Sequence, residues 1–449
     1  MDEEQSSNKS MCVCITRFLF YRTNIFCQFL CFGGVLAKVC LLHPQLTIVF
    51  PGACRSPAKT DLSLYFFGRL LYDISSAMNK ASHLSQEEIK SLAANVSKLS
   101  MLLTKDRESL PAAYLRDPGL RAAYVRYYLP TNMKKVHPAL ADLSLHAEGL
   151  LSKDRLRVLD LGAGPGTALL GLLAFFAQRP QRPALACVAV DRVAENLRVA
   201  EELFAAYRAN KGLVAALTVV RADLAASEQI VEGPFDLILI SNVLNELYPF
   251  DEDRVVKRIA LVRSLLKRLL ADNGSCIIIE PALREIARDL HGVRDGLLEQ
   301  GLLVYSPCLA GTRCPARENP RDWCHEDIPW DPPALIKEID RLTGLRKDSL
   351  KFSYLVLRKD GRSLTDLFGR DSFRVVSEPL VTKGKLEFYL CGAKGRKLVT
   401  RLDKDRTGAN RFFEVLKRGA IVGFERLADE GTRYKIEPTT EVIIHKHAS

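Results

Sequence analysis

Five short apolar runs, spaced through residues 155 to 281 and separated by amphipathic stretches, restrict the fold more than any other feature: RVLDL, ALACVAV, ALTVVRAD, FDLILIS and SCIIIE. They are apolar on both faces, as parallel strands covered by helices on each side must be, so the pattern predicts a doubly wound α/β sheet. One covering helix is legible between Asp251 and Asp272. Val255, Ile259, Val262, Leu266 and Leu269 line its inner side, Arg254, Lys257, Arg263, Lys267 and Arg268 face outward, and Gly274 is expected to follow its end.

The first run continues into VLDLGAGPGTALLGLLAFF, which sets Gly162, Gly164 and Gly166 between a strand and a helix, with Asp160 at the strand end. Asp191 follows the second run, 29 residues beyond Gly162, and Asp223 follows the third. In open α/β sheets ligands bind beyond the carboxyl ends of the strands, where glycines admit close backbone approach and an acid after the second strand accepts both ribose hydroxyls. NAD competes as ligand, but its fingerprint is G-x-G-x-x-G. The acid-preceded G-x-G-x-G here resembles class I S-adenosylmethionine-dependent methyltransferases, whose Rossmann-like sheet binds a donor without phosphate. Asp223 is then placed to bond the adenine amino group. The fourth run ends ISNVLNEL, so Ser241, Asn242, Asn245 and Glu246 project where a substrate would meet the methyl group. Alternatively, Asn242 and Asn245 cap the next helix.

The 449 residues hold 64 Lys and Arg against 53 Asp and Glu, a net charge of +11, which favours a polyanionic partner such as RNA. Residues 1–60 carry no acid beyond position 4. This extension reads as an organelle transit peptide, a poor signal peptide or a start placed too far upstream, and its apolar stretch Ile25 to Ala37 is too short to span a bilayer. Residues 61–150 form a predicted helical domain. Ser85 and Glu88 have capping-box spacing ahead of Ile89, Leu92, Val96, Leu99 and Leu103, and a second helix runs from Asp117-Pro118 to before Pro130, offering Arg121, Arg126, Tyr127 and Tyr128 to RNA or to a solvated face and core. Residues 151–360 are the expected donor-binding domain, and 361–449 a small basic strand-rich domain. Between Lys394 and Arg418 nine basic residues face three acidic ones, so an RNA-contacting surface is expected around Lys394, Arg396, Lys397, Arg401 and Lys404, with a merely solvated face as the alternative.

Cysteines raise a separate question. Cys308, Cys314 and Cys324 crowd a Pro- and Gly-punctuated loop at 305–330, followed by His325, and Cys391 ends a strand-like run far downstream. Four thiolates suit tetrahedral zinc or a [4Fe-4S] cluster, and the spacing decides for neither. Cys187 and Cys276 lie inside apolar strands as small buried hydrophobes. Ligand-like spacing in a chain with an ample core fits a reducing compartment.

Taken together, LDLGAGPGT, ISNVLNEL, SPCLAGTRCP, DWCH, FSYLVL and FYLCGAKGR resemble the methyltransferase-like proteins of the mitochondrial small ribosomal subunit and their bacterial relatives, over roughly residues 110 to 425. The resemblance implies a [4Fe-4S] cluster on Cys308, Cys314, Cys324 and Cys391, and a role on the small ribosomal subunit and its rRNA, by methylation or in assembly. It also implies a mitochondrial matrix setting in a eukaryote and the cytoplasm in a bacterium, and a monomer when free. Where the family has C-P-H, this chain has Cys308-Leu309-Ala310, so no histidine assists there. Amino-methylating nucleic-acid enzymes present an Asn- or Asp-Pro-Pro-aromatic tetrad after the fourth strand, whereas Ser241-Asn242-Val243-Leu244 has neither the prolines nor the ring. The alternative function is a metal-containing methyltransferase acting on a protein or small molecule.

Overall fold

The computed structural model describes residues 84–448 apart from 112, 147–148 and 225–230, together with three strand segments near the N-terminus. Those segments, β1 (Phe26–Phe32), β2 (Val35–Leu42) and β3 (Gln45–Val49), pair antiparallel in sequence order within a unit of their own, Met1–Phe66. The rest of the extension lies outside the described residues. No helix among the described residues is long and apolar enough to cross a membrane.

All five apolar runs are strands: β4 (Arg155–Leu161), β5 (Ala184–Asp191), β6 (Ala215–Arg221), β7 (Phe235–Ser241) and β8 (Leu270–Pro281). The sheet is completed by β9 (Leu303–Ser306), β10 (Glu326–Pro329) and β11 (Ser349–Arg358), in the order β10-β11-β8-β7-β4-β5-β6 with β9 against β11. Strands β4 to β8 run parallel, while β9, β10 and β11 pair antiparallel. After β6 the chain returns across β4 to form β7. The order therefore reverses beside β4, which opens a crevice at the carboxyl ends there.

Strand alternation divides the core in two. Leu156, Val158, Leu237, Leu239, Ile277 and Ile279 face one layer, and Leu159, Leu161, Ile238, Ile240, Cys276 and Ile278 the other. Each such side chain, fully buried, contributes roughly 1.5 to 3 kcal/mol. The second layer is closed by helices Arg254–Leu269 and Arg284–Glu299. In the first of these Ile259, Val262, Leu266 and Leu269 are buried as expected, but Arg258 is buried as well, bonding Asp289 at 2.8 Å. Gly274 caps nothing: β8 begins at Leu270, directly after the helix, so Gly274 lies within the strand.

Before β4 the chain is helical and shares its neighbours' cores. The capped helix Gln86–Thr104 packs Leu92, Val96 and Leu99 with Tyr127 and with Ile336 and Ile339 of helix Ala334–Thr343. Contrary to expectation, the helical path does not stop before Pro130. It runs from Pro118 through a π-type turn at Tyr124–Tyr128 to Leu143, because Pro130 and Pro138 each open a short segment, where a missing N–H costs least. At Gly171 of helix Thr167–Ala177 an added Cβ would lie 2.2 Å from the Met133 carbonyl oxygen, so only glycine lets these helices meet so closely. Tyr127 is fully buried and donates to Asp340, a core tyrosine as the alternative to RNA contact had it, and Arg121 bonds the Leu115 carbonyl at 3.2 Å.

A second sheet follows. It comprises β12 (Phe373–Val375), β13 (Leu380–Thr382), β14 (Lys385–Gly392), β15 (Gly395–Leu402), β16 (Ile421–Glu425), β17 (Ala428–Asp429), β18 (Arg433–Ile436) and β19 (Glu441–Lys446), around Phe388, Val399, Phe413, Val422 and Ile436. This confirms the strand-rich C-terminal region. Its joint with the first sheet is polar: buried Asp142 accepts from Tyr354 at 2.6 Å and from Lys446 of β19, and lies 3.6 Å from Arg374 of β12.

Candidate functional site

At the strand-order reversal a cavity of about 430 Å³ is lined by Asp160, Gly162, Gly164, Asp191, Asp223, Ser241, Asn242, Asn245 and Glu246. Its floor is the turn after β4, where Gly162, Gly164 and Gly166 hold φ of 71°, 53° and 80°, values side chains resist. A Cβ at Gly162 would fall 2.5 Å from Val243, whereas the space over Gly164 is open, as a backbone that receives a ligand requires. Gly166, the third glycine of the turn, is set back from the cavity wall. It opens helix Thr167–Ala177 and lets it approach Ala200, 3.1 Å from where a Cβ would stand.

Three carboxylates differ in their surroundings. Asp191 accepts from the Gly164 amide at 2.9 Å, the Val193 amide at 2.8 Å and Asn196 Nδ2 at 3.2 Å, so it braces the glycine turn as well as facing the cavity. Asp160 is buried, and burial together with the nearby Asp191 charge pushes its carboxyl up to about 7. Its Oδ2 has no hydrogen-bond partner. Asp223 lines the opposite wall.

On the far side, Asn242 adopts φ 58°, with its amide on the Ile279 carbonyl at 2.8 Å and its Nδ2 3.3 Å from Ser241 Oγ. Buried Asn245 is gripped by Arg107, which donates to its side-chain oxygen and, at 3.2 Å, to its carbonyl. Neither asparagine caps the following helix. Burial, reinforced by Asp191, raises the Glu246 carboxyl, and burial, with the Glu246 charge adding to it, lifts Glu280 to about 7 while its Oε1 takes the Leu244 amide at 2.9 Å. Sequence reasoning missed Arg107, Glu280, Tyr114 and Tyr124. Glu280 was signalled by ending the fifth apolar run, but Arg107, 138 positions from its partner, carries no local mark.

The cysteine loop forms a second, smaller cavity of about 60 Å³, whose wall includes all four predicted thiols, Cys308, Cys314, Cys324 and Cys391, with Arg294, Arg374 and Arg396. Buried Arg294 fastens the loop by donating to the Ala310 and Thr312 carbonyls, both at 2.6 Å, and Asp295 accepts the Cys314 amide at 2.9 Å. The Cys324 carbonyl takes a bond from Ser353 Oγ at 3.0 Å. Burial pushes the Cys314 thiol up to about 11 and Cys391 to about 12, and raises Cys324 well above the usual thiol range, the neighbouring thiols adding to each. Among the described residues no group of three or more His, Cys, Asp or Glu is disposed to hold a metal ion, although the four thiols line one cavity.

The basic run divides on inspection. Arg401 is buried and pairs with Glu414 at 2.7 Å, and Arg396 lines the thiol cavity and pairs with Asp322. Lys397 is mostly buried against Asp429 at 2.8 Å. Arg396 and Lys397 point to opposite faces of β15 and, like Arg401, are each held by an acid, so of the expected RNA surface only Lys394 and Lys404 are well exposed.

A family model described as mitochondrial small ribosomal subunit Rsm22 matches residues 120–420. Curated proteins gave no match. Similar solved structures include a protein from Listeria monocytogenes assigned to the class I S-adenosylmethionine-dependent methyltransferases (12% identity, 66% of this chain and 88% of that one, TM-score 0.33). Another is an O-methyltransferase family protein from Burkholderia thailandensis (16%, 69% and 88%, TM-score 0.32). At such scores these likenesses add nothing to what the strand order itself shows.

Proposed function

The chain belongs to the Rsm22 family of the mitochondrial small ribosomal subunit, and from that premise we propose that it binds S-adenosylmethionine and acts on the small subunit and its rRNA, by methylation, in assembly, or both. The observation that carries the reading is the polar cavity at the strand-order reversal. The donor, once bound, supplies an electrophilic methyl group. Asp191 and Asp223 would hold its ribose and adenine amine, and the unpartnered Oδ2 of Asp160 would take a bond from its ammonium. Asn242 and Asn245 would position the target, and Glu246, its proton affinity raised by burial, would receive the proton the target gives up.

The four thiols share one cavity, and the group proposed there is a [4Fe-4S] cluster, in which each thiolate would bind its own iron. Arg294, Arg374 and Arg396 on the same wall would offset its negative charge. The family's name gives mitochondria as the setting.

Calorimetry tests the donor pocket: Asp191→Ala and Gly164→Val should each weaken S-adenosylmethionine roughly ten- to a hundredfold, since a charge-assisted bond contributes about 1.5 to 3 kcal/mol. Unchanged affinity in both would remove the assignment. Cosedimentation with small subunits should fall steeply with salt, and absence from the particles at every salt would instead favour a protein or small-molecule substrate.

A further inference from the structure

A second depression, of about 380 Å³, opens beside the donor cavity and is lined by Lys135, Arg346, Lys347 and Lys351 against a single carboxylate, Asp348. Lys135, Lys347 and Lys351 belong to the walls of both spaces, so the basic cleft leads directly into the larger cavity. Two of its cations are under strain from their setting. Burial, aggravated by Lys347, pushes the Lys135 ammonium down to about 7, and burial lowers Lys347 although Asp340 partly offsets this. Lys135 makes no ion pair among the described residues, whereas Lys351 and Arg346 reach acids only at 3.5 Å, Asp327 and Asp348.

Where the two spaces join stand aromatic rings. Tyr114, Tyr124 and Tyr128 line the larger cavity, Tyr124 and Tyr128 lie stacked with centroids 6.1 Å apart, and the Lys347 ammonium lies 5.8 Å from the Tyr128 centroid.

We infer that this cleft binds the backbone phosphates of a single-stranded RNA, with Lys135 and Lys347 as the principal contacts and the adjoining nucleoside directed past Tyr128 into the donor cavity. The inference rests on the proposed S-adenosylmethionine reading and deepens it by assigning the substrate's entry. Alternation of cations with rings matches the alternation of phosphate and base along a strand. An acidic peptide would satisfy the cations but leave the ring-lined cavity without purpose. A phosphate placed between Lys135 and Lys347 removes their mutual repulsion, which the free protein must bear.

The test is fluorescence anisotropy of a labelled single-stranded RNA across a salt series, with the full chain. Lys135→Met/Lys347→Met should weaken binding at least tenfold at low salt and flatten the slope of log affinity against log salt by about 0.7, the contribution of the one phosphate the two lysines share. Lys135→Arg/Lys347→Arg should retain affinity, and Lys90→Met, on the exposed face of Gln86–Thr104, should not alter it. Unchanged affinity and slope in the double methionine variant would overturn the inference, as would displacement of the RNA by polyglutamate as readily as by unlabelled RNA. Failure of the donor reading is separate: it would appear as no heat of S-adenosylmethionine binding to the unaltered protein.

Discussion

Asp160 concentrates the chemistry of the donor site in one residue. A buried carboxyl held up to about 7, against an ordinary 3.8, is easier to protonate folded than unfolded. Between pH 4 and 7 the folded protein therefore binds more protons, so stability falls as pH rises through that window and is flat above it; the full effect is at most about 4 kcal/mol. Glu280, also held at about 7, acts in the same direction. Asp160→Asn should accordingly raise the melting temperature at pH 8 and make it less dependent on pH between 5 and 8, while S-adenosylmethionine affinity in the unaltered protein should rise over the same range as the carboxylate becomes available to the donor's ammonium. A melting temperature for Asp160→Asn that tracks the unaltered protein at every pH would show that Asp160 is ionised throughout.

Between elements, what the sequence discloses depends on how far apart the partners lie. Strands β4, β7 and β8 were legible because each is largely buried on both faces, edge strand β6 because its run stays apolar although only partly covered, and the glycine turn because its φ values exclude side chains. The grip of Arg107 on Asn245 was not, since nothing near either residue marks a bond spanning 138 positions. The basic run failed for a related reason: net charge along a strand does not say which residues the pleat turns inward. Arg401 illustrates it, with its guanidinium over the Phe413 ring at 5.7 Å and paired to Glu414. Arg401→Ala should therefore cost about 2 to 3 kcal/mol in denaturant unfolding and leave RNA affinity unmoved; the reverse result would return Arg401 to a nucleic-acid surface.

At the scale of the molecule, two sheets are held together by groups that are costly to separate. Asp142 stands buried between Lys446 and Arg374, and Arg374 continues to Glu326 at 3.2 Å and to the wall of the thiol cavity. The thiols repeat the pattern: Cys308, Cys314 and Cys324 come from the loop after β9, Cys391 from β14 of the other sheet. Without metal, the Cys314, Cys324 and Cys391 thiols, raised by burial, stay neutral and contribute little cohesion. As ligands of a cluster they would tie loop and sheet by covalent bonds, and binding free energy of that kind is folding free energy. Anaerobic purification should then yield a brown protein with about four irons per chain. Removing the iron should expose the 305–330 loop and the C-terminal sheet to protease before β4 to β8, whose cores do not depend on it. Cys324→Ser should lose iron and reproduce that cleavage order. A colourless protein with one zinc would keep the ligands and refute the cluster, and Cys324→Ser with full iron and unchanged protease resistance would refute the site, leaving the joint to polar contacts such as those of Asp142, Arg374 and Arg396.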